Sequence, residues 1–127
     1  MGDKMNIQIT MLILFFLFSI KHFVIDFLLQ FRYQWSNKGT YGHPGGLLHA
    51  GLHGIGTALC LLMFDWPAIL FFAGMDAVFH YHIDWAKMNI NARMGWTPTT
   101  SEYFWWLLGA DQLLHILTYI AIIALVI

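Results

Sequence analysis

Charged residues are scarce in this chain of 127 residues, where Asp, Glu, Lys and Arg together make up 10%. Soluble domains carry about 25%, so the composition argues against an ordinary soluble fold. The formal net charge of −1 excludes an electrostatic nucleic-acid binder, which needs a clustered basic surface. The one cysteine, Cys60, can form no internal disulfide and no CxxC metal site. Any metal must therefore be bound by histidine and carboxylate.

Apolar sequence, in contrast, is abundant, with 59% hydrophobic and 17% aromatic residues. Four runs have the length of a membrane-spanning helix, which needs about 20 mostly apolar residues. They cover residues 7–31, 45–64, 66–88 and 102–127. The first run has only Lys4 as a basic flank and no small-residue cleavage site, which predicts a retained helix and not a signal peptide. We therefore predict an all-α fold, a four-helix transmembrane bundle that forms one domain over residues 1–127.

The connections between these runs differ in charge. The first and third connections contain or adjoin the basic residues Arg32, Lys38, Lys87 and Arg93, whereas the second contains Asp65 and no basic residue. By the positive-inside rule, the first and third connections face the cytoplasm. The sequence thus predicts an integral membrane protein with both termini outward.

Ionisable residues inside the apolar runs recur in pairs four residues apart. Residues at i and i+4 lie on one helix face, and ionisable groups within a membrane face the bundle interior and mark a function. The predicted helix directions place all the pairs in the cytoplasmic half of the bundle. We predict these residues as metal ligands: His22 with Asp26, His49 with His53, His80 with Asp84, and Asp111 with His115.

This set of imidazoles and carboxylates suits a divalent first-row metal, Zn²⁺ first and Mn or Fe as alternatives. The number of groups would serve one or two ions, and helix bundles build di-metal sites from such residues. A metal would also offset buried carboxylate charge and make water nucleophilic near neutral pH. The alternative for each pair is an ordinary hydrogen bond between helices.

Other polar residues extend the same helix faces. Asp76 lies one turn before His80, and either Asp76 or Asp84 is the predicted proton acceptor in catalysis. Lys87 follows Asp84 by three residues and is predicted to bind an anionic substrate group at the mouth of the site, unless it only extends to the interface. Two residues are predicted to hydrogen-bond to the ligands and orient them: Gln30 and Gln112.

These motifs resemble a family of small integral membrane proteins of bacteria and their phages, which is classed as a domain of unknown function. Its pattern is similar to HxxxDFxxQ, LHA, HxxxDxxK and DQxxH in that order. The corresponding stretches here are residues 22–30, 48–50, 80–87 and 111–115. The family is similar to predicted membrane-bound metal-dependent hydrolases. The resemblance implies a polytopic protein, which we place in the bacterial inner membrane, and it supplies no substrate.

Three functions remain open. The leading prediction is a membrane-embedded metal-dependent hydrolase that acts on a lipid or another amphipathic substrate reached from the cytoplasmic side. The second is a metal-ion or proton transporter, because intramembrane His and Asp also mark ion paths. The third is a phage-type membrane interaction protein whose metal serves folding. The predicted partners are membrane lipids, with a second copy of the chain or a host membrane protein as further options.

Overall fold

A computed structural model of the protein describes the backbone of residues 2–127 and the side chains from Asn6 onward; the Lys4 side chain lies outside the described residues. Within this range the chain is all helical and has no strand, which confirms the predicted class. Helix α1 spans Gly2–Phe23 and continues as a π-helical turn, Val24–Leu28. The remaining helices are α2 (Arg32–Trp35), α3 (Pro44–Cys60), α4 (Trp66–Met94) and α5 (Glu102–Val126).

Capping residues set the beginnings of α3 and α5. The backbone N–H of Gly45 donates to His43 Nδ1 at 3.0 Å, and Pro44 occupies the first turn of α3, where its missing N–H costs nothing. Ser101 accepts a hydrogen bond from the backbone N–H of Tyr103 in the same way. Both caps satisfy a donor that has no partner within its helix.

Helix α4 extends past its predicted end at Met88. It runs to Met94, where Gly95 adopts a left-handed φ of 66°, a conformation that glycine reaches without steric cost. The polar residues before Gly95 contain no helix breaker, so polarity alone wrongly indicated a loop there. The last turns of α4 are therefore available to line a site.

Helix α1 ends in a π-helical turn that carries Asp26. The backbone N–H of Leu29 donates to the carbonyl oxygen of Val24, five residues back, at 2.9 Å. Single π-turns within helices often occur at functional sites. The π-helical turn ends at Leu28, before the predicted helix end at Phe31. Asp26 is buried within the bundle.

Two of the described helices are long and apolar enough to cross a membrane, namely Asn6–Leu28 and Glu102–Val126. Helix α3 has 17 residues, and the apolar sequence of α4 is interrupted by buried Asp76, His80 and Asp84. By length and composition, the structure thus supports two membrane spans where the sequence predicts four.

The long helices pack into an apolar half and a polar half. The apolar core contains Leu14, Phe18, Leu61, Ile69 and Ile122, all 2% exposed or less. Core residues precede the paired ionisable residues in α1 and α4 and follow them in α3 and α5, so successive long helices run antiparallel. The polar half is consequently closed on one side by the core.

Close helix contacts depend on two glycines of α3. A methyl group at Gly54 would lie 3.0 Å from the carbonyl oxygen of Ala73 in α4. A methyl group at Gly56 would lie 2.8 Å from Lys21 Cγ in α1. Small residues at such contacts let helix backbones approach closely. Here they allow the polar faces of α1 and α4 to pack against α3.

Candidate metal centre

Four buried residues from three helices bring their ligand atoms together. Asp26, His49, His53 and His80 each offer one atom, and these atoms all lie within 4.8 Å of one another. Asp26 Oδ1 lies 2.9 Å from His49 Nε2, 3.0 Å from His53 Nε2 and 3.6 Å from His80 Nε2. The Nε2 atoms of His49 and His80 lie 3.1 Å apart. We refer to these four residues as the Asp26 centre.

The spacing of these atoms fits a shared metal ion. Ligands at about 2.0–2.1 Å from an ion lie about 3.3–3.4 Å apart in a tetrahedron, and about 2.9 Å apart for neighbouring ligands of an octahedron. The four measured separations, from 2.9 to 3.6 Å, span these values. One carboxylate with three imidazoles is also a ligand set that first-row divalent metals accept. The Asp26 centre could therefore hold a metal ion.

Hydrogen bonding alone accounts poorly for this crowding. A neutral imidazole has one N–H donor and one acceptor nitrogen, yet three Nε2 atoms surround one oxygen of Asp26. The Nδ1 atoms of His53 and His80 are buried and have no hydrogen-bond partner among the described residues, so no contact on that side fixes the orientation of these two rings. Only His49 has its second nitrogen placed by a side chain, since Nδ1 lies 3.2 Å from Gln34 Oε1. A cation among the Nε2 atoms would explain why all three face inward.

A second group of potential ligands shares His80 with the Asp26 centre. It consists of His80, Asp84 and His115. Asp84 Oδ2 lies 3.3 Å from His80 Nε2, and Asp84 Oδ1 lies 3.6 Å from His115 Nε2. However, Lys38 Nζ lies 2.6 Å from Asp84 Oδ2, and Lys87 Nζ lies 3.5 Å from Oδ1. Two ammonium groups already offset this carboxylate, so the second group needs no ion for charge balance.

Lysine partners distinguish Asp26 from the other buried carboxylates. Lys21 forms an ion pair with Asp76, Lys38 with Asp84, and Lys87 with Asp111 at 3.0 Å. Among the described side chains, Asp26 contacts histidines alone. Of the carboxylates in the predicted pairs, only Asp26 therefore needs metal charge, because lysines reach the other two from α4 and from the chain after α2.

His22 and Gln112 form a network beside the Asp26 centre and belong to neither ligand group. His22 Nε2 lies 3.1 Å from Asp26 Oδ2 and 2.9 Å from Gln112 Oε1. Its Nδ1 lies 2.9 Å from the Tyr119 hydroxyl. Gln112 also donates from Nε2 to Asp111 Oδ2 at 3.0 Å. Gln112 thus connects His22 with Asp111 of α5. Its predicted role in orienting metal ligands stays a prediction, because neither contacted residue belongs to a ligand group.

Among the described residues, the two remaining predicted ones, Gln30 and Asp76, form no hydrogen bond to a side chain of either ligand group. Gln30 Nε2 donates to the backbone oxygen of Asp26 at 2.6 Å, so it holds the π-turn in place without contacting a ligand atom. Asp76 lies outside both ligand groups, where it pairs with Lys21 and accepts a hydrogen bond from the Thr57 hydroxyl at 2.6 Å. Its predicted role as proton acceptor stays a prediction, and these contacts favour a role in packing.

Comparison with known protein families gives a match over nearly the whole chain. The family model described as a protein of unknown function (DUF3307) matches residues 12–127. The chain belongs to the DUF3307 family. Membership confirms the domain-of-unknown-function family that the sequence motifs indicate, and the matched range includes both ligand groups and their lysine partners. No curated protein and no solved structure matches this DUF3307 chain.

Several buried residues that contact the site of this DUF3307 protein are not among the residues predicted from sequence. Lys21 had a signal, because it is a lysine within an apolar run and directly precedes His22. Gln34 and Lys38 had none, since they come from a short helix and loop without periodicity. Both are buried, with exposed fractions of 3% and 6%, because the segment after α1 folds back over the polar half.

A cavity of about 280 Å³ lies between this segment and the ends of α4 and α5. Gln30, Lys38, Lys87 and Asn91 contribute polar groups to its wall, and Phe104 contributes an apolar one. Lys38 and Lys87 also contact Asp84. The cavity therefore places two ammonium groups between its interior and the second ligand group.

Proposed function

We propose that this DUF3307 protein is a membrane-embedded metal-dependent hydrolase that acts on a lipid or another amphipathic substrate. The observation that carries the proposal is the Asp26 centre, a buried carboxylate surrounded by three inward-facing imidazoles. We further propose a single ion there, Zn²⁺ in preference to Mn or Fe, because among the buried carboxylates of the described chain Asp26 alone lacks a lysine partner. Histidine nitrogens favour such metals over Mg²⁺ and Ca²⁺.

All four long helices are proposed to cross the membrane. The paired ionisable residues of α3 and α4 are buried, while apolar residues such as Ile55, Leu59, Leu70 and Phe71 are 61–66% exposed. A soluble monomer rarely exposes so large an apolar surface, whereas a membrane span needs apolar groups facing lipid. The average hydropathy of α3 and α4 underestimates how apolar their outer surfaces are, because it includes the polar residues that are buried inside the bundle.

The proposed location is the bacterial inner membrane, with the chain between α1 and α3 and the chain between α4 and α5 facing the cytoplasm. Lys38 and Lys87 are paired with carboxylates. The exposed basic residues that support this orientation by the positive-inside rule are therefore Arg32 and Arg93. A homo-oligomer and a host protein partner stay predictions.

The residues around the Asp26 centre have complementary roles in this proposal. A divalent ion held by the Asp26 centre would supply a water that is nucleophilic at neutral pH. Asp84 lies 3.5 Å from His49 Nε2 and 3.3 Å from His80 Nε2, where its carboxylate would accept the proton lost in the attack. It would then return this proton to the oxygen of the leaving group. Lys38 and Lys87 contact Asp84 and would bind an anionic part of the substrate from the cavity.

The apolar core argues against the transport alternative. An ion path needs polar groups across the whole membrane. Here the polar groups end at the layer of Lys21, Thr57 and Asp76, and beyond it lie Leu14 and Leu61, each with an exposed fraction of 0%. A site that is closed on one side and adjoins a cavity on the other suits a reaction on a substrate that comes and leaves by the same side.

Isotope incorporation tests the proposal directly. The purified protein, loaded with Zn²⁺, is reconstituted with phosphatidylglycerol and phosphatidylethanolamine in ¹⁸O-labelled water, and the products are analysed by mass spectrometry. We expect ¹⁸O in a released acid or phosphate, and its loss after chelation. Asp26→Asn should lose both metal and activity, whereas Asp84→Asn should keep the metal and lose activity.

His82→Ala serves as the matched control, because His82 is an exposed histidine of α4 outside both ligand groups. It should change neither metal content nor activity. A protein that binds stoichiometric metal but incorporates no ¹⁸O into either lipid would refute the hydrolase. Full activity of the chelated protein would refute the metal dependence.

A further inference from the structure

The seam between α1 and α5 contains an apolar groove that leads to the polar half. A cavity of about 160 Å³ is lined by Phe15, Ser19 and Ile116 and reaches His22. A second cavity of about 250 Å³ shares Phe15 and continues along both helices to Ala124. From Ile116 to Ala124, α5 rises about 12 Å. The two cavities, which share Phe15, thus form one groove along the seam.

The inner end of this groove meets the Asp26 centre through His22. The His22 side chain is 13% exposed, whereas those of Asp26, His49 and His53 are 7% exposed or less. His22 Nε2 lies 3.1 Å from Asp26 Oδ2. Ser19, one turn earlier, donates its hydroxyl to a backbone oxygen and keeps acceptor capacity towards the groove. The groove therefore ends at polar groups and not at a closed apolar wall.

The cavity with the two lysines lies along the same side of α5. Leu108 lines that cavity and Ile116 lines the groove, about 12 Å apart along the helix. Gln112 lies midway between them and contacts His22. A cavity lined by two lysines, the network next to the candidate metal centre and an apolar groove therefore follow one another along one helix.

We propose that this seam binds one anionic membrane lipid lengthwise, with its phosphate at Lys38 and Lys87 and a hydrocarbon chain in the groove beyond His22. The proposal rests on the proposed hydrolase and names its substrate class. The ester or phosphoester bond of a lipid held in this way lies beside Gln112 and the Asp26 centre. The order of the three regions matches the order of headgroup, linkage and chain in a phospholipid.

Selectivity in this site must come from the headgroup. Hydrocarbon chains of the bilayer are as apolar as the groove, so transfer of a chain into it gains little free energy. An ammonium group has three donors, and Lys38 contacts one carboxylate, Asp84, so it can also bind a phosphate oxygen. We therefore expect a lipid with net negative charge to be preferred to a zwitterionic one of the same chains.

Photolabelling tests the position and the preference without any turnover. The Zn²⁺-loaded protein is placed in phosphatidylcholine nanodiscs that contain a trace of phosphatidylglycerol or phosphatidylcholine with a diazirine in one chain. Labelled residues are mapped by mass spectrometry. We expect the phosphatidylglycerol probe to label Ser19 and Ile116 several-fold more than the exposed controls Ile20 and Leu117, and unlabelled phosphatidylglycerol to compete. The phosphatidylcholine probe should label all four positions alike.

Matched variants test each end of the site. Ser19→Trp fills the groove and should reduce its labelling several-fold at unchanged metal content, whereas Ile20→Trp on the lipid-facing side should not. Lys38→Gln should remove the preference for phosphatidylglycerol, whereas Arg93→Gln removes one exposed charge without this effect. If Lys38→Gln fails to fold, competition by the two unlabelled lipids in the unmodified protein decides the headgroup preference.

Uniform labelling by both probes would refute the lipid site, because it would show ordinary bilayer contact only. Cross-linking of two chains through α1 and α5 would refute it as well and assign the seam to a dimer. The outcomes separate this inference from the hydrolase itself. Selective labelling without ¹⁸O incorporation would retain the lipid site and refute the enzyme, and ¹⁸O incorporation with uniform labelling would do the reverse.

Discussion

Replacement of Lys21 by methionine is expected to lower the free energy of unfolding by about 3–5 kcal/mol, the cost of breaking a buried ion pair. The side chains of Lys21 and Asp76 are 4% and 1% exposed, so water cannot solvate the carboxylate that remains. Its other hydrogen bond, from Thr57, offsets only part of that charge. Asp76→Asn leaves a buried ammonium group and should cost a similar amount.

The double variant, with Lys21→Met and Asp76→Asn together, removes both charges and should cost at least about 3 kcal/mol less than the sum of the single variants. Unfolding in mixed micelles at increasing mole fractions of a denaturing detergent measures all three. Metal content should stay at the unmodified level, because Asp76 lies outside both ligand groups. Additive costs would show that the two side chains do not form the pair, and loss of metal would make Asp76 part of the centre.

Two further predictions concern the ion and the helix contacts. Elemental analysis should find one ion per chain, which is lost in Asp26→Asn and retained in His82→Ala. Chelation should lower the melting temperature, because the ion binds only the folded protein. Two ions per chain would instead mean that the second group also binds metal. Gly56→Ala should destabilise the protein by about 1–3 kcal/mol through overpacking against Lys21, whereas Gly51→Ala, which meets open space, should be neutral or stabilising; equal melting temperatures of the two variants would contradict the close contact.

Spacing within helices predicts all six residues of the two candidate ligand groups. The i, i+4 rule holds along any single helix, so His49 and His53 were paired without knowledge of the packing. The rule extends less well through the π-turn, where Asp26 and His22 contact each other but only Asp26 joins a ligand group. A π-turn depends on how the helix end packs, which the local sequence does not specify.

The lysine partners could not be predicted because they depend on tertiary contacts. Lys38 reaches Asp84 from a loop, and no periodicity connects residues that distant in sequence. Lys87 followed from its position on α4, and its contact with Asp111 of α5 required the packing of two helices. The prediction from sequence therefore counted more unpaired buried carboxylates for a metal ion to neutralise than the structure contains.

The lysine pairs have a consequence for the assembly of the protein. Because three buried carboxylates have lysine partners within the chain, most of the charge in the polar half is balanced before any ion binds. If the Asp26 centre holds a metal ion as proposed, the bundle could therefore close first and take up the ion afterwards. The metal supplied at that stage, and not the folding reaction, would then decide which ion the centre carries.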